Sequence, residues 1–565
     1  MNSRTGGAVL IDALQKNGAE FVFFVPGESY LEALDAFYDA RDTLRPIVCR
    51  QEGGAAYMAE AFGKVTGKPG ICFVTRGPGA TNASIAIHTA RQDSTPAILF
   101  VGQVDSTMRD REAFQEISIN AMFGSLAKWA AQIDEPARIP EYVARAFHVA
   151  TSGRPGPVVL GLPEDVLARP TTSEAVAASP AFAPVPTDAA LRALREELER
   201  SRRPLAILGG SGWTLEARDQ IAAFLEAWNI PTACGFRRQD RIDNRSPVYA
   251  GYAGVGIMPY LAKRVSDADL VLGIGTRLSE AVTQGYELLR VPRPEQRLVH
   301  VHVDPDELGR VYQADLAINA SIVEFARAVR DVAPAATPAW RAWCEELRGE
   351  WERSRVLDAR EARARSGFVD LAEVVMYLDE TLPDNAIITT GAGNFAGWVH
   401  RYYRYRSYPT ALGAVNGSMG YGLPSAIAAK LVHPDRTVVA FCGDGDFLMT
   451  GQELATAVQY RVPVIVIVAN NGMYGTIRMH QERDHPGRVV GTDLLNPDFV
   501  RLGEAFGAYA KKVTRAEDFA AAFAEARSSA GPALLELLLD PEVLSTRATV
   551  SSLRARAEHM TGVSS

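Results

Sequence analysis

A carboxylate and a pair of carboxamides each follow an apolar segment in the last third of this 565-residue chain. Gly443-Asp444-Gly445 comes after the apolar run 437–442, and Asn470-Asn471 follows the apolar run 462–469. Both runs indicate buried parallel strands, whose carboxyl ends form the ligand-binding edge of open α/β sheets. An Asp oxygen, an Asn oxygen and a backbone carbonyl just beyond them form a hard oxygen set. Such a set suits Mg²⁺ carrying a phosphorylated ligand.

The turn at Asp444 is also suited to a diphosphate. Its backbone N–H groups, and those at the start of a helix predicted over 448–460, can donate to phosphate oxygens. For the Gly-Asp-Gly triplet alone, a plain βαβ turn in which Asp444 caps a helix is the better interpretation. One helix and one strand between the triplet and the asparagines make the complete pattern more specific.

Composition excludes several classes of function. The chain is 47% hydrophobic and 22% charged, which is ordinary for soluble globular proteins. A net charge of −8 over this length argues against nucleic acid as the main partner. The length favours about three domains.

Cysteine usage and the N-terminus favour a cytoplasmic protein with no membrane partner. The five cysteines show no CxxC spacing, which favours reduced thiols. Residues 1–15 lack the apolar core of a signal peptide. The longest apolar strand is much shorter than the roughly 20 residues that span a bilayer.

The predicted fold class is α/β, with three doubly wound parallel-sheet domains. We expect them at 1–170, 190–335 and 368–545, with a linker at 170–188 and a C-terminal tail at 546–565. Residues 337–366 are charged and predicted to be helical. The predicted strands are 21–25, 47–49, 71–75, 97–101, 158–162, 205–208, 270–274, 298–303, 386–389, 437–442 and 462–469.

Glycine clusters in the second domain are compatible with a nucleotide. Gly209-Gly210-Ser211-Gly212 and Gly273-Ile274-Gly275-Thr276-Arg277 follow predicted strands, and Asp304 follows a third. No full GxGxxG motif opens a helix, so these residues do not favour a nicotinamide oxidoreductase. Tight packing between strand and helix explains the glycines equally well.

Several segments together resemble the thiamine-diphosphate-dependent enzyme superfamily, in its acetolactate-synthase-like branch. The 443–471 unit resembles its GDG…NN signature, and RQEGGAAYMAE at 50–60 resembles its HE.AAA.MAE segment. TRGPGATN at 75–82 is similar to TSGPGATN, and AFQE at 113–116 matches directly. GSMGYGLP at 417–424 is similar to GxMGxGLPAA. The resemblance implies a pyrimidine-binding, a central Rossmann-like and a diphosphate-binding domain, in that order.

The resemblance also implies roles for the cofactor's reactive half. Glu52 is then the glutamate that contacts N1′ of the aminopyrimidine, where a carboxyl favours the tautomer whose 4′ nitrogen takes the thiazolium C2 proton. The carbonyl of Gly417 accepts a hydrogen bond from the 4′ amino group, and Met419 bends the cofactor. Core packing is the ordinary explanation of an isolated Met.

The diphosphate half follows from the same resemblance. Asp444, Asn471 and the Met473 carbonyl are implied as Mg²⁺ ligands. The implied cofactor-binding residues of this half are Gly393, Asn394, Phe395, Gly443, Asp444, Gly445, Asp446, Asn471, Met473, Tyr474 and Gly475.

Three departures from the synthase pattern concern the substrate side and the central domain. Glu28 stands in PGE where synthases have PGG and decarboxylases PGD, so it adds a carboxylate that can protonate a product or contact substrate; a helix-start acid without a role is the alternative. His480 falls where the family's Trp selects the second 2-oxo acid, although a surface role is as plausible. The central domain has GTRLSEA instead of GARFDDR and retains Arg277, so FAD is possible but not favoured.

The predicted function is a decarboxylating carboligase acting on 2-oxo acids with thiamine diphosphate and Mg²⁺, a transferase. Glu52, Glu28, Gln115 and His480 are the predicted catalytic residues. A non-ligating decarboxylase (carboxy-lyase) is the first alternative. A catalytically inactive cofactor-binding subunit is the second, and Glu52 argues against it. The resemblance implies a homodimer or homotetramer with sites between subunits.

Overall fold

The computed structural model describes residues 3–358 and 363–561, and in them the chain forms three six-stranded sheets whose strands all run parallel. Helices connect the strands in each case, which confirms the α/β expectation. The described chain divides into two compact units. The first contains 3–182, 414–435 and 448–464; the second contains 183–413, 436–447 and 465–561.

The first unit is built on one sheet with apolar strands. Its strand order is Arg45–Val48, Phe21–Phe24, Gly70–Thr75, Ala97–Gln103, Pro157–Pro163, Trp129–Gln132. The helices of this unit are Gly6–Lys16, Leu31–Ala40, Glu52–Thr66, Arg76–Asp93, Ile119–Phe123, Ile139–Thr151, Glu164–Ala168, Gly422–Val432 and Leu454–Gln459. The two strands Arg4–Thr5 and Pro170–Thr171 pair antiparallel.

The helix Glu52–Thr66 is central to this unit. Gln51 caps it by accepting a hydrogen bond from the Gly54 N–H at 3.0 Å, and Gly67 ends it with a φ of +73°. A Cβ at Gly70 would clash with the helix backbone at Ala59, so the helix lies directly on the sheet. Glu52 is thereby held at the carboxyl edge of the strands.

The second unit contains two sheets. One has the order Tyr249–Ala253, Thr232–Gly235, Pro204–Leu208, Leu270–Ile274, Arg297–His302, Leu316–Asn319. The other has the order Ala411–Gly413, Ile387–Thr390, Val438–Gly443, Ile465–Asn470, Ala533–Leu538, Tyr509–Val513. A short antiparallel pair, Val543–Ser545 with Ala548–Thr549, follows.

Helices flank both sheets of the second unit. Those around the first sheet are Asp188–Glu199, Leu215–Ala227, Pro259–Asp267, Glu280–Thr283, Ile322–Val329 and Arg341–Ser354. Those around the second are Leu371–Thr381, Ala396–Tyr402, Asp444–Phe447, Gly475–Asp484, Phe499–Phe506, Phe519–Ser528 and Val550–Thr561.

Two helix predictions were wrong in extent. The helix expected from residue 448 begins at Leu454, after a 3₁₀ turn, Gly451–Glu453. The Thr450 hydroxyl, just before this turn, donates to the Gly420 carbonyl at 2.7 Å. The charged helix expected over 337–366 is confined to Arg341–Ser354. Residues 359–362 of that prediction lie outside the described residues, as do 1–2 of the N-terminal segment and 562–565 of the tail.

Seven strands of the three sheets were not predicted. Five of these, among them Trp129–Gln132 and Tyr509–Val513, lie at sheet edges, where one side of the strand faces no neighbour and the apolar pattern is weaker. All five cysteines are buried as free thiols. Across the described ranges, the helices that are found are too short or too polar to cross a membrane.

Candidate active site

Asp444 lies at the end of the strand Val438–Gly443 and is 3% exposed. Its Oδ1 accepts the Gly445 N–H at 2.9 Å. Its Oδ2 accepts the Gly472 N–H at 2.9 Å and the Asn496 side-chain amide at 2.7 Å. Burial raises the pKa of this carboxyl, and the three hydrogen bonds oppose the shift.

The two asparagines that end the next strand have different tasks. The Asn470 side chain hydrogen-bonds to other groups of the protein. Its amide donates to Glu536 at 2.8 Å, and its oxygen accepts from Gly472 and Asn496. Asn471 accepts only the Met473 N–H at 3.3 Å among the described residues. Gly472, with a φ of +68°, allows the tight turn that follows Asn471.

Asp444, Asn471 and Met473 therefore meet around Gly472, whose N–H joins the turn to the Asp444 carboxylate. One carboxylate, one carboxamide oxygen and one main-chain carbonyl are the oxygens that Mg²⁺ prefers. This donor set fits the metal. Within the described ranges, no group of three or more His, Cys, Asp or Glu side chains is placed to hold a metal. A site made of one carboxylate, one carboxamide oxygen and one main-chain carbonyl does not need such a group.

Glycines leave room for three side chains at the same sheet edge. A Cβ at Gly445 would lie 2.5 Å from the Tyr474 ring, and one at Gly443 would lie 2.8 Å from the Phe395 ring. A Cβ at Gly391 would clash with the Asp446 carboxylate, which accepts the Ala392 N–H at 2.9 Å. The glycines thus allow the 391–395 turn to close on the Asp444 turn.

Asn394 links this edge to the C-terminal segment. Its amide donates to the Leu544 carbonyl at 2.8 Å, and its oxygen accepts the Thr476 hydroxyl at 3.0 Å. The structure brings together every residue predicted for the diphosphate half, all in the second unit: Gly393, Asn394, Phe395, Gly443, Asp444, Gly445, Asp446, Asn471, Met473, Tyr474 and Gly475.

His480 lies on the helix Gly475–Asp484, and its side chain is exposed. No hydrogen bond within the described residues joins it to the Asp444 cluster. Its substrate role stays a prediction.

Glu52 is the first residue of its helix, where the helix dipole favours a carboxylate. Its Oε2 accepts the Asn82 side-chain amide at 2.9 Å. Its Oε1 lies 3.6 Å from where a Cβ at Gly79 would stand. Asn82 and Gly79 both belong to the TRGPGATN segment, so the sequence contained this contact although Asn82 was not singled out.

A second, fully buried carboxylate holds the turn before Glu52. Glu453 is 0% exposed, and its Oε1 accepts the N–H groups of Arg50 at 3.1 Å and Gln51 at 2.9 Å. Its Oε2 accepts the Thr456 hydroxyl at 2.6 Å. Burial raises the pKa of Glu453. Sequence reasoning missed this residue because its partners lie some 400 positions earlier in the chain.

The loop 414–421 also belongs to the first unit. Gly417 has a φ of +69°, which orients its carbonyl in a way that other residues rarely allow. The Tyr57 hydroxyl hydrogen-bonds the Ser418 hydroxyl and lies 3.4 Å from the Met419 carbonyl. The helix that begins with Glu52 therefore also positions the loop that carries Gly417 and Met419.

A buried ionic cluster fixes both ends of this loop. The Tyr421 hydroxyl donates to Glu60 at 2.6 Å, and the Val415 N–H donates to Asp93 at 3.0 Å. Lys64 lies between the two acids, 3.1 Å from Glu60 and 3.2 Å from Asp93. One lysine thus pairs with two buried carboxylates that anchor the loop.

Gln115 has a φ of +65°, and its carbonyl accepts the Gly77 N–H at 2.8 Å. Glu116 folds the turn before it by accepting the N–H groups of Asp110 at 2.7 Å and Ala113 at 3.0 Å. These two hydrogen bonds lower the pKa of Glu116. Glu116 therefore shapes the loop that presents Gln115.

Glu28 begins the 3₁₀ turn Glu28–Tyr30, and its side chain is 57% exposed. Its carboxylate lies 3.4 Å from the guanidinium of Arg76. Glu28, Glu52, Gln115, Gly417 and Met419 all lie in the first unit.

The glycine clusters of the central sheet are tightly packed. A Cβ at Gly210 would clash with the Gly275 carbonyl. The Gly210 carbonyl accepts hydrogen bonds from Arg238 at 3.2 Å and Arg241 at 3.0 Å. These contacts fit the packing explanation, and FAD binding stays an untested hypothesis.

The matches to known protein families include strands of all three sheets. Family models described as thiamine pyrophosphate enzyme N-terminal TPP binding domain, central domain and C-terminal TPP binding domain match residues 4–122, 191–329 and 391–537. The acetolactate synthase large subunit of Parasynechococcus marenigrum (strain WH8102) is 32% identical over 545 residues, covering 94% of this chain and 87% of that protein.

Two further relatives come from other organisms. The probable acetolactate synthase large subunit of Methanocaldococcus jannaschii is 31% identical over 552 residues, with 95% of this chain and 92% of that protein covered. The acetolactate synthase isozyme 2 large subunit of Escherichia coli (strain K12) is 30% identical over 546 residues, covering 95% of each.

Proposed function

The chain belongs to the thiamine pyrophosphate enzyme family, and we propose that it is a decarboxylating carboligase that joins two 2-oxo acids in the manner its acetolactate synthase relatives suggest. Its cofactors are thiamine diphosphate and Mg²⁺. When bound, thiamine diphosphate supplies a nucleophilic carbon and an electron sink for the loss of CO₂. The observation that carries the proposal is that Glu52 stands at a helix start with one oxygen held by Asn82.

Glu52 serves as the acid–base group of the pyrimidine side. With Oε2 oriented by Asn82, its other oxygen can hold a proton against the ring nitrogen N1′. When the cofactor is bound, the Gly417 carbonyl would accept a hydrogen bond from its 4′ amino group, and the Met419 side chain would support it. A scaffold that only binds the cofactor would have no use for this acid.

The diphosphate half of the site would bind the charged groups, which are the metal ion and the phosphates. Asp444, Asn471 and the Met473 carbonyl would ligate Mg²⁺, and the N–H groups of the Asp444 and 391–395 turns would hold phosphate oxygens. Asp446 keeps these two turns together through its bond to the Ala392 N–H. We assign residues 1–170, 190–335 and 368–545 to the pyrimidine-binding, central and diphosphate-binding domains.

Glu28, Gln115 and His480 are assigned to the substrate side. Gln115 offers a carboxamide from a loop that Glu116 closes. Glu28 is the residue behind one second candidate, a non-ligating decarboxylase, in which an added acidic side chain would take part in protonating the product; the acetolactate synthase relatives do not favour this candidate. His480 would contact the second 2-oxo acid.

The active unit is a two-fold dimer, or a pair of such dimers, in which each site combines residues from two subunits. The basis is the family's assembly. The cytoplasm is the location that fits the absence of disulfides among the described cysteines.

The experiment that tests this function is a panel of 2-oxo acids, scored for CO₂ release and for the carbon skeleton of the product, with and without thiamine diphosphate and Mg²⁺. A carboligase releases CO₂ and yields a 2-hydroxy-3-oxo acid only when both cofactors are present. Aldehyde as the sole product would assign the chain to the non-ligating candidate. No CO₂ release from any member of the panel would contradict both.

A further inference from the structure

An arginine of the central domain reaches the turn that is assigned to the diphosphate. Arg237 follows the central strand Thr232–Gly235 and is 5% exposed. Its Nη2 donates to the Gly391 carbonyl at 2.8 Å. Gly391 follows the strand Ile387–Thr390 and begins the 391–395 turn. One side chain therefore joins the carboxyl edges of two sheets within the second unit.

The peptide group between Gly391 and Ala392 is held at both ends by charged side chains. Its carbonyl accepts a hydrogen bond from Arg237, and its N–H donates to the Asp446 carboxylate at 2.9 Å. A cation at the carbonyl and an anion at the N–H both match the dipole of the peptide. Hydrogen bonds to charged groups are about twice as strong as neutral ones. The first peptide of the 391–395 turn therefore has a fixed orientation.

The surroundings leave the Arg237 side chain little freedom. Its φ of +57° is uncommon for a residue with a side chain, and such conformations persist where neighbouring groups determine them. A Cβ at Gly413 would lie 2.8 Å from Arg237 Cδ, so the arginine passes close to the end of the strand Ala411–Gly413. That strand pairs with Ile387–Thr390. Arg237 thus crosses one strand end to reach the turn that follows the next strand.

The residues just after Arg237 attach its segment to the same domain. The Gln239 amide donates to the His400 carbonyl at 2.8 Å. Asp240 is 0% exposed and accepts the N–H groups of Thr410 at 2.9 Å and Ala411 at 3.1 Å. The backbone that carries Arg237 is therefore held against the domain that its side chain contacts.

Arg237 also compensates a negative charge at the edge where an anion would bind. Asp444 and Asp446 are each 3% exposed, and two buried carboxylates oppose the binding of a diphosphate. Mg²⁺ would compensate the charge of Asp444. Arg237 and Asp446 act on the two ends of one peptide group, so the arginine is placed to compensate the charge of Asp446.

A plain tie between domains is the alternative explanation of such an arginine, and Arg218 shows what it looks like. Arg218 is 4% exposed, belongs to the central domain and donates to the Arg406 carbonyl at 3.0 Å. Arg406 lies in the segment before the strand Ala411–Gly413, away from the 391–395 turn. The two arginines have similar burial and the same kind of acceptor. They differ in that Arg237 alone of the two contacts the turn assigned to the phosphates.

We propose that Arg237 is a positioning residue for the cofactor. It fixes the Gly391–Ala392 peptide, and with it the N–H groups of the 391–395 turn that would hold phosphate oxygens. The central domain thereby contributes to cofactor affinity without contacting the cofactor. The inference rests on the diphosphate half of the proposed function.

The test measures binding of thiamine diphosphate and of inorganic pyrophosphate by calorimetry, each with saturating Mg²⁺, to the full chain freed of cofactor. Arg237→Gln should weaken both ligands by about 10- to 100-fold, as loss of a residue that orients a binding group does. Arg237→Lys keeps the charge but not the planar fork, so its loss should be smaller. Arg218→Gln is the matched control: it should lower the free energy of unfolding to a similar extent and leave both affinities unchanged.

Two further measurements separate positioning from general damage. In the Asp446→Asn background, Arg237→Gln should weaken binding by a smaller factor, because both side chains act through one peptide group. Once saturated with thiamine diphosphate, the Arg237 variants should exchange the thiazolium C2 proton at the wild-type rate, since Glu52 is untouched.

Equal affinities in the wild type and in every Arg237 variant that folds would overturn the proposal. A loss of thiamine diphosphate affinity that pyrophosphate does not share would also overturn it, as would an equal loss in Arg218→Gln. Strictly additive losses with Asp446→Asn would show that the two side chains do not act on one peptide. A wild type that binds neither ligand would instead contradict the diphosphate half of the proposed function.

Discussion

The carboxylate of Glu482 accepts two hydrogen bonds from the guanidinium of Arg554, at 2.7 and 2.6 Å. Glu482 is fully buried on the helix Gly475–Asp484, which begins just after Met473 and Tyr474. Arg554 lies on the last helix, Val550–Thr561. The C-terminal tail, to which the sequence assigned no role, is thus attached to the helix that follows the metal-binding turn.

Breaking this attachment should loosen the tail. Arg554→Ala removes two charge-assisted hydrogen bonds and leaves Glu482 with Arg478 at 2.8 Å, so we expect a loss of about 2 kcal/mol in the free energy of unfolding. Urea unfolding measures this loss, and limited proteolysis should cut the variant near residue 550 first. Arg556→Ala, an exposed arginine on the same helix, is the control. Equal stability and cleavage of the two variants would show that the pair does not attach the tail.

The attachment should resist acid. The hydrogen bond from Arg554, with help from the Gly487 N–H and Arg478, lowers the pKa of Glu482 to about 2. A carboxyl whose pKa is lowered on folding stabilises the protein fully above its unfolded value, about 4.3, and the contribution is lost as pH falls toward 2. The stability difference between wild type and Glu482→Gln should therefore be constant from pH 7 to 5 and shrink between about 4 and 2. A difference that already disappears by pH 5 would contradict the assignment.

Asp444→Ala should abolish tight cofactor binding while the fold survives. It removes the only formal charge of the Mg²⁺ set, so calorimetry should show thiamine diphosphate affinity reduced by at least about 100-fold. Because burial raises the pKa of Asp444, protons should compete with Mg²⁺ at a higher pH than for an ordinary aspartate. The affinity of the wild type for thiamine diphosphate should thus fall on acidification while the protein is still folded. Asp484→Asn, an exposed acid of the same unit, should bind normally.

How much the sequence could predict depended on the range of the interaction. The positions of Asp444 and Glu52 in the fold were predictable because each follows a predicted strand within a recognisable segment, whereas their roles stay predictions. Glu453 was not, since it acts through the backbone of Arg50 and Gln51, and no local pattern reports a partner 400 residues away. In the sequence, the ion pair of Glu28 with Arg76 was visible only as two separate departures from the family's motifs.

Strand prediction failed for a related reason. The buried strand Ile465–Asn470 has an unbroken apolar run, whereas the edge strand Tyr509–Val513 contains two lysines and is half-exposed. The helix expected from residue 448 starts later, at Leu454, and the Thr450 hydroxyl before it bonds the Gly420 carbonyl, a contact that propensity does not contain. Tertiary contacts decided the outcome at each of these places.

Subunit mixing should show whether each site draws on two chains. Glu52→Gln and Asp444→Ala subunits are each expected to be inactive alone. After mixing in equal amounts, half of the dimers are hybrids and half of their sites are intact, so activity should return to about a quarter of wild type. Refolding or subunit exchange followed by the product assay measures this. Hybrids that form, as shown by differently tagged subunits, but stay inactive would place each site within one chain.

Glu52 should control activation of the cofactor and not its binding. Glu52→Gln keeps the size of the side chain and the contact to Asn82, but an amide cannot exchange a proton with N1′ as a carboxyl does. Exchange of the thiazolium C2 proton with D₂O should therefore slow by about 100-fold or more, while calorimetry shows nearly normal affinity for thiamine diphosphate. Asn82→Ala leaves the acid but removes its orientation, so exchange should slow by a smaller factor, about 10-fold. Glu20→Gln, which removes an exposed carboxylate of the same unit that pairs with Lys68, should exchange at the wild-type rate. If Glu52→Gln exchanged as fast as the wild type, another residue would have to be the acid–base group, and the proposed role of this helix start would be wrong.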